Sequence, residues 1–346
     1  EIMDKRVGSR PPTYSMPQGG YVRDAYLRGL TLEWGGQGNP YKFGLIGSSD
    51  THTGAGSFDE NNYWSKVGVL DGMDMSRGSV PLTQDRIDQL NEYAEIYDQP
   101  ISNKELDGRT YADVGFDQWS ASGLAVAWAE KNTRDAIFQA FKRKETFATT
   151  GTRMAVRFFA GFDMESIDLN SEDMVQNAYA KGVTMGADLF SEDNQTPQFL
   201  VWAQRDKLGA PLQRVQIIKG WVENASGTPK EEVYDVACSD GLLVDPVTNR
   251  CPDNGARVNI NDCSISNDVG AGELKTTWVD PDFDPTVKAF YYVRVLENPT
   301  CRWSTWDAVK AGVSPRPDLH KTIQERAWSS PIWYIPESSE LDIIPL

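Results

Sequence analysis

An aspartate and a histidine, two residues apart, follow a short apolar segment early in the chain. Asp50 and His52 come soon after residues 43–47, whose sequence FGLIG lies between turn-forming residues and predicts a buried strand. In α/β folds the carboxyl end of such a strand is where ligands and metals bind. A carboxylate and an imidazole together suit a divalent metal ion. The sequence therefore makes Asp50 and His52 candidate metal ligands and candidate catalytic residues.

Small hydroxyl residues surround this pair. Ser48, Ser49 and Thr51 could form hydrogen bonds with the two candidate ligands, on the side away from the metal ion, and fix their orientation. The simpler interpretation of so short a motif is a loop aspartate that caps a turn beside a solvated histidine. The preceding strand and the scarcity of histidine favour a metal site, since the chain has two histidines, His52 and His320.

Two ligands do not complete a catalytic metal centre, because a catalytic zinc ion usually has three protein ligands and a two-metal site has more. His320 is expected to be a solvated surface residue. The missing ligands are expected either from carboxylates within residues 55–120 or from sequence that precedes Glu1. Asp59 and Glu60 are candidates in the first case, as ligands or as a general base.

Basic side chains near the motif could bind an anionic substrate. Arg153 follows the predicted strand and turn at residues 146–151 and could donate charge-assisted hydrogen bonds to an anionic oxygen, which makes it a candidate catalytic residue. Lys66 and Arg77 are weaker candidates of the same kind. A structural ion pair is the alternative for an arginine in such a position, because ion-pair networks also occupy these places.

Composition excludes some classes of partner. Of the 346 residues, 34 are Lys or Arg and 50 are Asp or Glu, so the net charge is −16. We expect no nucleic-acid partner, because binding to phosphates needs a basic face. No apolar run approaches the ~20 residues that span a bilayer, so no membrane span is expected. The length allows roughly two domains.

Alternating helices and strands are predicted for residues 1–153. In chain order they are helix 20–34, strand 43–47, helix 83–97, a helix capped by Asn132 or Thr133, and strand 146–150. This alternation predicts an α/β domain with parallel strands joined by crossover helices. A long, partly irregular insertion is expected at about residues 55–120, and loops of that length are often functional.

Residues 154–346 have a different pattern. Apolar and β-branched segments of strand length recur there, and several of them alternate with period two. The expected strands are 154–159, 198–203, 214–222, 232–237 and 289–296. This pattern predicts a mainly antiparallel, sandwich-like domain.

The four cysteines lie in the last third of the chain and none has C-x-x-C spacing. They are Cys238, Cys251, Cys263 and Cys301. They are either isolated buried thiols or two disulfides, for which three pairings are possible. Their position among loop-forming residues favours disulfides, which form in oxidising compartments. We therefore expect a periplasmic or secreted protein.

Five of the eleven tryptophans come after residue 275, namely Trp278, Trp303, Trp306, Trp328 and Trp333. They could form an aromatic platform for a sugar or aryl substrate. Burial at a domain interface is the favoured interpretation, because tryptophan contributes a large buried area.

Long blocks of the sequence resemble one protein family. The blocks are NPYKFGLIGSSDTHTGAGSF (39–58), NTRDAIFQAFKRKETFATTGTRMAVRFFAG (132–161), QIIKGW (216–221), DPDFDPTVKAFYYVRVLENPTCRWSTWDA (280–308) and IQERAWSSPIWY (323–334). With them the chain resembles the domain-of-unknown-function 3604 family. That family is similar to the PHP (polymerase and histidinol phosphatase) metallohydrolase superfamily.

The resemblance implies a fold, a cofactor and a partner. The implied fold is the C-terminal part of a PHP-like distorted β/α barrel, followed by the β-rich domain. Asp50 and His52 fall on the superfamily's late Gly-Ser-Asp-x-His motif, which implies that they bind divalent ions (manganese, zinc or iron). The family's earlier His-x-His motif and middle ligands have no counterpart in this sequence. The chain is therefore expected either to associate with an N-terminal fragment of the same protein, its implied partner, or to lack a complete catalytic cluster.

The implied activity is hydrolysis of phosphate, sulfate or phosphonate esters by metal-activated water, with a small anionic ester as the substrate. One alternative is a non-catalytic binding or scaffold subunit that binds a partner or glycan through its tryptophan-rich β domain. The other is a carbohydrate-binding protein that depends on the tryptophan-rich end alone. The sequence predicts no particular oligomeric state.

Overall fold

The computed structural model describes residues 19–54, 56–98, 100–116 and 119–337. In these ranges the α helices are α1 (Val22–Trp34), α2 (Gln84–Tyr97), α3 (Arg134–Lys142), α4 (Met174–Lys181) and α5 (Trp303–Ala311). The strands are β1 (Asn103–Leu106), β2 (Arg109–Ala112), β3 (Leu124–Ala127), β4 (Thr146–Thr149), β5 (Ala155–Gly161), β6 (Gly182–Thr184), β7 (Asp188–Phe190), β8 (Gln198–Gln204), β9 (Leu212–Val222), β10 (Pro229–Cys238), β11 (Val258–Asn259), β12 (Ser264–Ile265), β13 (Glu273–Val279), β14 (Ala289–Glu297), β15 (Thr300–Cys301), β16 (Thr322–Ile323), β17 (Arg326–Ser329) and β18 (Ile332–Ile335). A search of these ranges finds no helix with the length and hydropathy of a membrane-spanning segment.

Two sheets form the centre of the molecule. The larger sheet has the strand order β10-β9-β14-β17-β4-β3, and β18 joins it by pairing with β14 and, in parallel, with β7. The smaller sheet has the order β13-β8-β5-β6. The other strand pairs of both sheets are antiparallel. The mainly antiparallel arrangement predicted for residues 154–346 is therefore confirmed.

The two sheets pack face to face because successive side chains of a strand point to opposite faces. Val156 and Phe158 of β5 lie in one core cluster with Ile217 of β9, which belongs to the larger sheet. Phe159 follows Phe158 in sequence and packs on the other side, in a cluster with Met174 of α4. The smaller sheet is thus covered on its outer face by α4.

Helix α1 covers the outer face of the larger sheet. Its buried residues Tyr26 and Leu30 lie one helical turn apart and cluster with Ile218 and Phe290, on the face opposite Ile217. Burial of each such side chain contributes about 1.5–3 kcal/mol. The result is four layers, helix, sheet, sheet and helix, and the helix predicted at residues 20–34 is confirmed by α1.

The segment at residues 43–47 is not a strand, so this prediction is wrong. The segment is extended, but the exposed fractions of Phe43 and Ile46 are 38% and 51%. One of its backbone amides, that of Leu45, donates to the Ser330 hydroxyl at 2.8 Å instead of to a neighbouring strand. An apolar run alone does not distinguish a buried strand from an extended segment that crosses the edge of a sheet.

The parallel pairing predicted for residues 1–153 is also wrong for the strands described there. Strands β3 and β4 pair antiparallel. Helix α3 lies between them in sequence and, with its flanking loops, connects the two strands as a wide hairpin. The strands in the described ranges form no closed barrel, and β4 pairs with β17, so the larger sheet includes residues on both sides of position 153. The division into two domains at that position stays a prediction.

Candidate metal site

The loop at residues 47–53 is fixed against the beginning of β3. The Gly47 amide donates to the Leu124 carbonyl at 3.1 Å, and the Gly123 amide donates to the Ser48 carbonyl at 3.2 Å. A Cβ atom on Gly47 would lie 2.4 Å from the Leu124 carbonyl oxygen. The close approach of the two backbones therefore requires glycine.

Asp50 has a left-handed backbone with φ of 49°. This conformation is uncommon outside glycine, but aspartate adopts it more readily than most residues. The side chain is exposed, and no residue in the described ranges forms a hydrogen bond or ion pair with its carboxylate. Asp50 can thus offer both carboxylate oxygens to a ligand.

The orientation of the His52 ring is set by a backbone contact. Nδ1 of His52 lies 3.0 Å from the Asp50 carbonyl oxygen. Because a carbonyl oxygen can only accept, Nδ1 must carry the hydrogen, which leaves the lone pair of the neutral ring on Nε2. The His52 amide also donates to the Lys66 carbonyl at 2.7 Å, so the backbone on which the ring is mounted is held as well. The exposed ring therefore presents the nitrogen that a metal ion would bind.

The neighbouring hydroxyls support the loop backbone. The Ser49 hydroxyl accepts from the Thr51 amide at 3.2 Å, and the Thr51 hydroxyl lies 3.4 Å from that of Ser122. Ser48 is exposed and contributes its carbonyl to the contact with β3. The predicted support of bound metal by Ser48, Ser49 and Thr51 stays a prediction, because these contacts hold the loop and not the side chains of the two candidate ligands.

No third ligand joins the pair in the part of the chain that the structure describes. Those residues include no group of three or more His, Cys, Asp or Glu side chains arranged to hold a metal ion. Glu60, one of the predicted candidates, is buried and accepts from the backbone amides of Ala121 and Trp303, the latter being the first residue of α5. Asp59 and His320 are exposed. The expectation that the 55–120 insertion completes the metal site is therefore not met by its described carboxylates.

Arg77 has a structural role, which excludes it as a binder of anionic substrates. Its Nε and Nη2 atoms lie 2.8 and 2.7 Å from the two carboxylate oxygens of Asp307, and both side chains are buried. Its Nη1 atom donates to the carbonyls of Trp64 and Asp71 at 2.8 and 3.2 Å. The guanidinium is therefore fully engaged within the protein.

Arg153 remains a candidate. Its backbone amide donates to the Asp206 carboxylate at 2.8 Å, which fixes the turn after β4, and the residue is exposed. No hydrogen bond or ion pair joins its guanidinium to any residue in the described ranges. Lys66, the other basic candidate, has its Nζ 5.6 Å from the ring centroid of Trp119.

The cysteines form two disulfides, so this prediction is confirmed. Of the three possible pairings, the structure has Cys238–Cys251 and Cys263–Cys301. The first closes a loop after β10, and the second ties the β11–β12 region to the residues just before α5. Two disulfides are typical of proteins that fold in an oxidising compartment.

The two most deeply buried tryptophans of the C-terminal group serve packing. Trp303 stacks on Tyr63 with ring centroids 4.7 Å apart, and Trp333 meets Tyr26 edge-on at 5.6 Å. Both indoles are buried and form no open aromatic surface. The packing interpretation of these two residues agrees with the structure.

Sequence analysis missed a buried carboxylate, Glu297, at the end of β14. It is fully buried and lines a cavity of about 160 Å³, and neither of its carboxylate oxygens has a hydrogen-bond partner among the described residues. The sequence signal was a single acidic residue at the end of the mainly apolar strand AFYYVRVLE. Burial raises the pKa of Glu297 to about 8, although the Thr152 hydroxyl and the Ala210 amide, which lie nearby but outside hydrogen-bond geometry, lower it.

The fold and the loop together define a class, a disulfide-linked and mainly antiparallel α/β protein with an exposed Asp-x-His pair at its sheet edge. A sequence profile of the family described as "Protein of unknown function (DUF3604)" matches residues 2–336. The chain therefore belongs to this family. No curated protein and no solved structure is significantly similar to it.

Proposed function

We propose that this protein is a metal-dependent hydrolase of phosphate, sulfate or phosphonate esters, and that Asp50 and His52 bind its metal ion. The contact between His52 Nδ1 and the Asp50 carbonyl carries the proposal, because it leaves the lone pair on Nε2. The exposed Asp50 carboxylate provides an anionic ligand from the same turn. Nitrogen and oxygen ligands of this kind suit manganese, zinc or iron. The resemblance to PHP metallohydrolases supports the same assignment.

The two side chains fit one part of a metal site. A catalytic ion needs at least one more protein ligand, which must come from outside the described ranges or from a second polypeptide. An associated N-terminal fragment of the same protein would be such a partner. When bound, a divalent ion lowers the pKa of its water and stabilises negative charge on the transferred group. The exposed Arg153 guanidinium is our candidate for binding an oxygen of the anionic ester.

The hydrolase proposal is tested with protein purified from its natural host, so that associated polypeptides are retained. Hydrolysis of 4-nitrophenyl phosphate, sulfate and phenylphosphonate is measured with added Mn²⁺, Zn²⁺ or Fe²⁺. We expect Asp50→Asn and His52→Gln to lose the metal-dependent rate, because each removes a ligand. His320→Gln changes the other, exposed histidine and should retain the rate. Equal rates for His52→Gln and the unmutated protein would exclude the proposal.

A second candidate function is non-catalytic binding of a glycan. A cavity of about 360 Å³ is lined by aromatic side chains, including Trp221 and Phe283, together with the polar residues Asn224 and Asp284. Ligand sites commonly combine such apolar walls with a few polar groups. If this function is correct, oligosaccharides should change tryptophan fluorescence, and Trp221→Ala should remove the effect while Trp202→Ala, outside the cavity, should not.

A further inference from the structure

We propose that the cavity beside Glu297 binds a small organic cation, a molecule about the size of butylammonium with one ammonium group. The Glu297 cavity is lined by Phe58, Asp59, Glu60, Asn61, Thr152, Leu208, Gly209, Ala210, Cys263, Ile265, Glu297, Thr300, Trp306 and Glu325. This binding function is separate from the proposed hydrolase activity and requires neither Asp50 nor His52.

Glu297 is the residue whose carboxylate would bind the ammonium group of the cation. Its exposed fraction is 0%, and in the part of the chain that the structure describes neither Oε1 nor Oε2 has a hydrogen-bond partner. A buried polar group without a partner is costly, so native proteins rarely leave one unless something else satisfies it. The three N–H donors of an alkylammonium group match the empty acceptor positions of one carboxylate.

The charges around the cavity select a cation. Asp59, Glu60 and Glu325 line it together with Glu297, and among its described lining residues there is no Lys, Arg or His. Glu60 binds backbone amides and Glu325 accepts from the Thr150 hydroxyl, so these two residues contribute negative potential. A cleft with charges of one sign concentrates ligands of the opposite sign. The net charge of −16 acts in the same direction.

The size and walls of the cavity favour an organic cation over a metal ion. Its volume is about 160 Å³, and a cavity on the order of 150 Å³ admits a benzene-sized molecule. Phe58, Leu208 and Ile265 provide apolar surface for a short alkyl chain. The described carboxylates here form no group that could hold a metal ion.

Binding should be coupled to release of a proton. Glu297 has a pKa of about 8 because it is buried, and the neighbouring Asp206 raises the pKa further while Arg205, Thr152 and the Ala210 amide lower it. Without a ligand the carboxyl group is therefore mostly neutral at pH 7, whereas an ammonium ligand favours the carboxylate. The affinity should rise up to about tenfold per pH unit below pH 8 and level off above it.

The test is a calorimetric titration of the whole protein with butylammonium chloride at pH 6, 7 and 9. Proton release at pH 7 is followed with a pH indicator in weakly buffered solution. We expect saturable binding that strengthens with pH, and close to one proton released per ligand at pH 7. Butanol, the uncharged analogue, and CaCl₂ should not compete.

Two variants locate the site. Glu297→Gln should weaken binding at least about tenfold and abolish proton release, because the amide bears no charge. Glu192→Gln changes an exposed glutamate outside the cavity and should bind as the unmutated protein does. Equal binding of butanol, displacement by Ca²⁺, or butylammonium binding without proton release would each overturn the proposal. The number of protons released per bound ligand is measured on the unmutated protein, so it tests the proposal even if Glu297→Gln fails to fold.

Discussion

Three buried carboxylates show how the surroundings of a residue determine its role. Asp307 is neutralised by a bidentate ion pair with Arg77, and Glu60 accepts hydrogen bonds from two backbone amides. Glu297 is buried with neither kind of partner. The first two residues stabilise the fold, whereas burial of Glu297 opposes its ionisation and leaves its oxygens available to a ligand.

Glu297 should make the stability of the protein depend on pH. Its pKa is raised from 4.5 to about 8, so the folded protein holds this proton more tightly than the unfolded chain. The stabilising effect of that proton is complete below about pH 4.5 and is lost as the pH rises through 8. Between pH 5 and 9 this residue should cost a few kcal/mol of unfolding free energy, since one pKa unit corresponds to about 1.4 kcal/mol.

Denaturant unfolding at pH 5 and at pH 9 checks this expectation. The loss of stability between pH 5 and 9 should be smaller in Glu297→Gln than in the unmutated protein, with Glu192→Gln as the control. Parallel pH profiles for the protein and Glu297→Gln would contradict the assignment.

Sequence reasoning could identify one of these sites and not the other. Asp50 and His52 stand out because their types and spacing carry chemistry before any folding is considered. Glu297 gives no comparable signal, because its importance comes from burial and from the absence of partners, which are properties of the tertiary structure. That no third ligand lies beside Asp50 among the residues that the structure describes could likewise be judged only from their arrangement in space.

At the scale of elements, the long insertion is held by helix α5. Arg77 reaches Asp307 on α5, and Glu60 accepts from the amide of Trp303, the first residue of that helix. Tyr63 stacks on the same Trp303. Residues that are more than 200 positions apart in sequence therefore form one buried contact between the insertion and α5.

The Arg77–Asp307 pair should be strongly coupled. Arg77→Met leaves the Asp307 carboxylate buried without its partner, and we expect it to lower the free energy of unfolding by about 3–5 kcal/mol. The double variant Arg77→Met/Asp307→Leu should lose clearly less than the sum of the two single variants. Denaturant unfolding of the four proteins measures this coupling, and exposed Arg109→Met serves as the control. Additive losses would contradict it.

Local patterns predicted the regular elements well. The helices predicted at 20–34 and 83–97 and the one capped by Thr133 correspond to α1, α2 and α3, and the Thr133 hydroxyl does accept from the Ala136 amide. The five strands predicted after residue 153 correspond to β5, β8, β9, β10 and β14. Helix α1 buries one face, and β9 and β14 are buried along most of their length, so their apolar patterns were clear. Helix α2 has no buried residue, and its local helical pattern was sufficient by itself.

The missed elements are those that depend on distant partners. Strand β3 has four residues and is only partly buried, so its pairing with β4 defines it more than its own pattern does. Helix α5 contains two polar residues between its tryptophans and receives its N-terminal cap from Glu60, far away in sequence. The direction of pairing between β3 and β4 could not be predicted either, because a helix between two strands permits both outcomes.

The whole molecule is a four-layer sandwich whose loops are closed by two disulfides. The disulfide Cys238–Cys251 encloses a separation of 13 residues and Cys263–Cys301 one of 38. Both lie in the part of the chain where irregular segments connect the strands. Location in the periplasm or outside the cell accords with these bonds and remains a prediction.

The two disulfides should stabilise the protein unequally. Non-reducing peptide mapping should recover the pairs Cys238–Cys251 and Cys263–Cys301. Removal of either pair by alanine should lower the free energy of unfolding by about 2–4 kcal/mol, and the longer loop should cost about 1 kcal/mol more, because its closure removes more entropy from the unfolded chain. Recovery of a different pairing, or a larger loss for Cys238–Cys251, would contradict this account.

Metal binding tests the central claim most directly. The protein, Asp50→Asn, His52→Gln and His320→Gln are dialysed against limiting Mn²⁺ or Zn²⁺, and bound metal is counted by mass spectrometry. We predict that the protein and His320→Gln retain the ion, whereas Asp50→Asn and His52→Gln lose at least about tenfold in affinity, because loss of even an outer-shell partner of a ligand typically costs about 10–100-fold. Equal metal content in all four proteins would contradict the assignment of Asp50 and His52 as ligands.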